Sequence, residues 1–208
     1  MNWLICSAIS TELTSLKAFV SKAKEESGLL KGVIHSQRVT LASLGIGNVE
    51  AAITLSQILS AAPFDCVYFV GTAGILPGHN LTIGEAVEVS WVQPAQVPGE
   101  RLVGSLFENI ECGLRPETEG VHVWSPTGVS ETRDLAENAT KFAAHVENLE
   151  LWGVARVCKR FEVDFGAVLG LSNFVGENGG AEWAENQDRA ATTACQRVAE
   201  LLKSSSES

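Results

Sequence analysis

The chain has 208 residues, of which 45% are apolar and 19% charged, enough material for one large core and, at roughly 100–200 residues per domain, one domain over residues 1–208. Fifteen Lys plus Arg stand against 25 Asp plus Glu, a formal charge of −10. This balance excludes a nucleic-acid binder that neutralises phosphates and a protein that adheres to anionic membranes. No apolar run reaches the roughly 18 residues of a bilayer span. The first nine residues lack a positive n-region and turn polar at Ser10, so no signal peptide is read. Five cysteines (Cys6, Cys66, Cys112, Cys158, Cys195) are odd in number and form no Cys-x-x-Cys pair. They suit a reducing cytoplasm as buried small hydrophobes. The four histidines are far apart in sequence without ligand spacing, so neither a metal nor any other cofactor is expected.

Residues 3–9 form an apolar run that predicts a buried strand. Leu13, Leu16, Val20 and Ala23 recur at helical spacing, predicting a helix from about Thr11 whose solvated end is Lys22-Ala23-Lys24-Glu25-Glu26. Two strands follow, at residues 32–35 and 38–44, as a hairpin closed at Ser36-Gln37. After Leu44-Gly45-Ile46-Gly47, Asn48 is a candidate N-cap for a helix carrying Val49, Ala52, Ile53, Ile58 and Leu59. Cys66-Val67-Tyr68-Phe69-Val70 predicts a central strand that ends in a Gly71-Thr72-Ala73-Gly74 turn. Residues 85–92 read as a strand, 93–119 as a loop-rich excursion with Pro94, Pro98 and Pro116, and 121–124 as a short strand. Helices are expected at 131–143, 148–161 and 181–203, a buried strand at 165–171, and a frayed tail at 204–208. Strands alternating with helices predict an α/β fold, a three-layer sandwich with a central mixed β-sheet flanked by helices.

In such sheets ligands bind beyond the carboxyl ends of strands. The residues at those ends are Glu12, the Gly45/Gly47 turn, Gly71 to Gly74, and Ser172-Asn173, with Glu150 just after Asn148. Singly, each has an ordinary structural reading as a turn glycine or a carboxylate complementing a helix dipole. The Gly-x-Gly at residues 45–47 also lacks the third glycine of the dinucleotide fingerprint.

Taken together, their order carries more. Ala8-Ile9-Ser10-Thr11-Glu12-Leu13, Leu44-Gly45-Ile46-Gly47 and Val70-Gly71-Thr72-Ala73-Gly74 are followed by Glu147-Asn148-Leu149-Glu150, Val157-Cys158 and Gly170-Leu171-Ser172-Asn173-Phe174-Val175-Gly176. This pattern resembles the nucleoside phosphorylase/nucleosidase superfamily over nearly the whole chain apart from residues 93–121. Within it the chain looks closest to the futalosine hydrolases, whose Glu-Asn-Met-Glu, Ser-Asn-x-Val-Gly and following Trp are matched at residues 147–150, 172–176 and at Trp183. Methylthioadenosine nucleosidases are similar over the same span but normally carry Ser-Asp where this chain has Ser172-Asn173.

The resemblance implies a catalytic set of Glu12, Glu150 and Asn173. Glu12 would position and deprotonate the attacking water, and Glu150 would take hydrogen bonds from the ribose 2′ and 3′ hydroxyls. Leu149 stands where the usual methionine packs on the sugar, with Gly47, Thr72, Ala73, Gly74, Asn148 and Ser172 also binding substrate. An amide at Asn173 donates to a 6-oxo group and accepts from N7–H, which favours hypoxanthine or guanine as the leaving base, and the resemblance points to futalosine, in menaquinone biosynthesis, as the substrate. The other readings are a methylthioadenosine/S-adenosylhomocysteine-type nucleosidase, a purine nucleoside phosphorylase, and a non-catalytic nucleoside-binding relative. Phosphorolysis is disfavoured because residues 1–16 and 39–100 hold no Lys or Arg. The chain departs from the pattern in residues 177–182, which lack the usual Arg-Asp, and near 128–130, where Val129 stands without an aromatic. The resemblance also implies a cytoplasmic homodimer or higher homo-oligomer, with residues 91–97 at the interface or, for Trp91, in the core.

Overall fold

A computed structural model describes residues 1–95, 109–112, 114 and 120–207. Most of the excursion expected at 93–119, with Val97, Pro98 and Pro116, lies outside the described residues. Strand β1 (Asn2–Ser7) runs parallel to both β4 (Gln37–Ser43) and β5 (Cys66–Ile75). Its side chains alternate as a two-residue period demands. Leu4 and Cys6 enter the core beneath α2 (Asn48–Ala61) and α4 (Leu151–Phe161), while Trp3 and Ile5 enter the opposite core beneath α5 (Gly179–Glu207). Helices thus cover both faces of a mixed sheet, and the expected three-layer α/β architecture is the one observed.

The described strands form one ten-stranded sheet that includes β2 (Ser21–Glu26), β3 (Leu29–Ile34), β6 (Ala86–Pro94), β7 (Ile110–Glu111), β8 (Val121–Ser125), β9 (Val146–Glu147) and β10 (Asp164–Phe174). One part is an open wing, β1-β4-β3-β2. The other part closes on itself, because β10 bonds both β5 and β6, and the path β6-β8-β9 returns to β5. Strand β5 is where the two meet. Its first half pairs with β1 up to Phe69, and its end pairs with β9 from Gly74 onward. Between them that edge of β5 is left without a strand.

Several elements differ from expectation. The helix α1 spans only Thr14–Lys17 after a 3-10 turn at Ser10–Leu13. The charged cluster expected at its end is β2, an exposed edge strand paired with β3. Leu13 and Leu16 do face the core, but pairing with β3 captures the residues beyond Lys17, and a charged edge resists further strand addition. The β3–β4 turn lies at His35-Ser36, both with positive φ (43° and 69°), so that Ile34 pairs with Gln37. Gly71 to Gly74 continue β5 and make no turn.

Asn48 does not cap α2. Gly47 holds the cap position at φ 88°, and Asn48 Oδ1 instead accepts from Gly153 N–H (2.7 Å) and Ser125 Oγ (3.2 Å), tying α2 to α4. Val49 and Ile53 face outward, and the buried face of α2 is Ala51, Leu55 and Leu59. Helix α3 (Arg133–Thr140) is capped by Thr132, and α5 continues through Glu207, with the Ser204 and Ser205 hydroxyls bonded back to the Leu201 carbonyl. All five cysteines are buried and unpaired. No helix among the described residues is long and apolar enough to cross a membrane.

Candidate active site

The gap on β5 is filled by side chains. Thr72 N–H donates to Glu12 Oε1 (3.0 Å), and the Thr72 carbonyl accepts from Asn148 Nδ2 (3.1 Å). Backbone groups that a neighbouring strand would otherwise satisfy thereby fix a carboxylate and an amide at the sheet's fork. The Thr72 hydroxyl, itself a donor to Glu12 Oε1 (3.1 Å), accepts from Trp183 Nε1 (3.2 Å) on α5.

A cavity of about 310 Å³ opens there. Its wall is built from Ala8, Ile9 and Glu12 after β1, Thr72, Ala73 and Gly74 on β5, residues 147–150 from the end of β9 to the start of α4, Ser172 and Asn173 on β10, and Gly179, Gly180 and Trp183 on α5. Ile46 and Val129 complete it. Of the ten residues expected at the site, nine line this cavity. Gly47 does not, but its N–H donates to Glu150 Oε1 at 2.8 Å. The positive φ at Gly47 turns that amide toward the start of α4.

Glu150 precedes α4, and the Asn148 side chain caps that helix: its Oδ1 accepts from Glu150 N–H (3.1 Å) and Leu151 N–H (2.9 Å). The one asparagine therefore orders both the helix start and the Thr72 edge. On β10, Asn173 Nδ2 donates to the Phe174 carbonyl (3.1 Å), and its Oδ1 lies 2.8 Å from Ser172 Oγ. A carbonyl only accepts, so the Phe174 contact fixes which end of the amide is nitrogen. One N–H and one lone pair remain for a ligand. Glu182 anchors this strand end by accepting Phe174 N–H at 2.8 Å.

Three carboxyls, those of Glu12, Glu147 and Glu150, share the wall, and none of the other described lining residues is Lys, Arg or His. Burial pushes all three above the usual carboxylate range. Glu12, 8% exposed, reaches about 7: burial leads, the Ile9 and Thr72 donors oppose it, and the Glu150 charge adds to it. In Glu147, Oε1 accepts from Ser130 N–H (3.0 Å), while Oε2 is buried with no hydrogen-bond partner.

Sequence reasoning assigned no role to Glu147, although it opens the quoted Glu147-Asn148-Leu149-Glu150 motif, nor to the Trp183 contact with Thr72. It also left His79, His122 and His145 as separate residues. The fold brings their rings together, tilted and edge-on, with centroids 4.5 Å and 5.1 Å apart around His145. No metal-binding cluster of His, Cys, Asp or Glu occurs among the described residues. Trp91 stands on β6, partly exposed beside a second, smaller cavity.

Known proteins are similar to this chain over nearly its whole length. The chain is 25% identical over 229 residues to a 5′-methylthioadenosine/S-adenosylhomocysteine nucleosidase of Bacillus velezensis, covering 98% of this chain and 99% of the relative. The Bacillus subtilis nucleosidase of the same name is 24% identical over 234 residues, with the same coverage. Among solved structures, the Neisseria meningitidis nucleosidase with methylthio-immucillin-A superposes with a TM-score of 0.87 at 23% identity, over 98% of this chain and 99% of that one. The native futalosine hydrolase of Helicobacter pylori gives 0.85 at 19% identity, over 98% of each chain. These two likenesses establish the fold. A sequence profile described as the phosphorylase superfamily matches residues 5–206. With that match spanning every element that builds the cavity, the chain belongs to the phosphorylase superfamily.

Proposed function

We propose that this protein is an N-glycosyl hydrolase that releases hypoxanthine from a 6-oxopurine nucleoside, of which futalosine is the foremost candidate. The coarse activity, nucleosidase, has the support of named relatives aligned over the full chain. The observation that carries the choice of base is Asn173, whose fixed amide offers one donor and one acceptor into the cavity. A 6-oxopurine leaving group presents the matching O6 acceptor and, after cleavage, an N7–H donor. A 6-aminopurine sets an amino group against the amide N–H, and a buried polar mismatch of this kind costs about 1–3 kcal/mol.

In this reading Glu12 is the base for the attacking water. Its position near neutrality suits it to hold a proton in one step and release it in the next. Glu150 receives the ribose hydroxyls, and its charge, with that of Glu12, favours the positive sugar of the transition state beside largely buried carboxyls. Leu149 packs on the sugar. Water is the nucleophile because the cavity wall offers a phosphate three carboxyls and, among its described residues, no cationic side chain.

A second reading, cleavage of methylthioadenosine or S-adenosylhomocysteine, is favoured by the names of the full-length relatives. Asn173→Asp separates the two. A carboxyl there accepts from a 6-amino group and protonates N7, so the ratio of kcat/KM for 6-amino over 6-oxo substrates rises at least tenfold under the first reading. An unchanged ratio removes the argument from Asn173.

A further inference from the structure

The contact between Trp183 and Thr72 has no task in the mechanism above. An indole N–H can only donate, so across the 3.2 Å from Trp183 Nε1 the Thr72 hydroxyl is the acceptor. A hydroxyl has one proton, and with Trp183 on the oxygen's lone pair that proton points along the other close contact, to Glu12 Oε1 at 3.1 Å. The Thr72 N–H donates to the same oxygen at 3.0 Å. Two donors of one residue thereby engage both lone pairs of Oε1. Oε2 receives a single donor among the described residues, the Ile9 N–H at a longer 3.4 Å. The indole stands near the start of α5, partly exposed in the cavity wall. The same helix reaches Glu12 a second time, where Cys195 Sγ donates to its carbonyl (3.0 Å).

We propose that Trp183 is a positioning residue for the base: its N–H fixes the direction of the Thr72 hydroxyl, which holds Glu12 Oε1 as an acceptor and leaves Oε2 as the oxygen that takes up a proton. This rests on the hydrolase reading, in which Glu12 serves the attacking water, and names the side chain that orients it. A hydroxyl that accepts from one donor is polarised and donates more strongly in turn, by roughly 10–30% per link. Without the indole N–H the Thr72 hydroxyl is free to turn. The charged form of Glu12 then loses part of what opposes its burial, and the carboxyl holds its proton to higher pH. The other titratable groups set against Glu12 are Glu147 and Glu150 on the cavity wall and Cys195 on α5, and none of them is altered in the variants below.

The test is an NMR titration of ligand-free protein with glutamate labelled at the carboxyl carbon, the Glu12 signal being the one missing from Glu12→Gln. Trp183→Phe keeps an aromatic ring and removes the N–H. It should raise the Glu12 midpoint by about half a pH unit, roughly a threefold change in proton affinity. An indole that only shields the site from water gives the opposite sign, because burial is what raises this carboxyl. A downward shift, or none, therefore overturns the proposal without any change at Thr72. Thr72→Val keeps the branched shape and the backbone donor but lacks the hydroxyl. In that background Trp183→Phe should move the midpoint no further, whereas in Thr72→Ser, which retains a hydroxyl, the shift should return. An equal shift in both backgrounds overturns the proposal. The acid limb of kcat/KM should move with the carboxyl, and a limb that stays while the midpoint moves overturns the positioning role. Failure of the hydrolase reading shows separately, as wild-type protein that releases base from no nucleoside offered, and that outcome overturns the catalytic role whatever the titration gives.

Discussion

Above neutral pH, Glu12→Gln should raise stability while removing activity, and its pH dependence carries the proof. In the fold, burial lifts this carboxyl from 4.5 to about 7. At roughly 1.4 kcal/mol per tenfold change in proton affinity, the ionised form costs the fold about 3 kcal/mol. The sign follows from proton counts. Below 4.5 both folded and unfolded chains carry the proton, and there is no penalty. Between 4.5 and about 7 the unfolded chain releases it while the folded chain keeps it, so stability falls as pH rises, and above about 7 the full cost is present. Linkage gives a penalty of about 1.5 kcal/mol at pH 5.5 and about 3 kcal/mol at pH 8. Glutamine has no titration, and its own cost is pH-independent: a lost acceptor for Ile9 N–H, about 1–2 kcal/mol. The advantage of Glu12→Gln over wild type must therefore grow by about 2 kcal/mol from pH 5.5 to pH 8, or about 4–8 °C in Tm for a chain of this size. Thermal unfolding followed by circular dichroism at both pH values measures it. The same titration predicts that wild-type kcat/KM falls about tenfold per pH unit below about 7, as an ionised base requires. A Tm difference that does not change with pH would refute the reasoning.

Glu150→Gln keeps an oxygen for Gly47 N–H, so the fold should hold while kcat/KM drops by roughly two powers of ten or more, read from base release. Gly74→Ala places a Cβ 2.7 Å from Val175 Cγ2 and 3.0 Å from Asn173 Nδ2. Overpacking should cost about 1–3 kcal/mol in denaturant unfolding and weaken base binding through the displaced amide. A variant as stable as wild type, with unchanged inhibition by hypoxanthine, would contradict that placement.

The residues around the cavity were legible because chemistry concentrates at strand ends, and the motifs at Glu12, Glu150 and Asn173 kept a recognisable order along the chain. Fold class followed from apolar runs such as residues 66–70. What escaped the sequence depended on partners distant along the chain. Residues 21–26 have helical spacing before them and become a strand only because β3 pairs with them. Gly71 to Gly74 look like a turn, yet they continue β5 because β10 accompanies it along its whole length. Closure of the sheet through β9, two residues long, has no local signature, and neither does the orphan oxygen of Glu147. Asn48 has the composition of a cap, but the neighbouring helix α4 in the same layer supplies the Gly153 N–H that its side chain accepts.

The most direct test of the central claim is to incubate purified protein with futalosine, inosine and methylthioadenosine, with and without phosphate, and to follow free base by chromatography. The account predicts hypoxanthine from futalosine at a rate indifferent to phosphate. Release only in the presence of phosphate, or adenine from methylthioadenosine with none from futalosine, would contradict it.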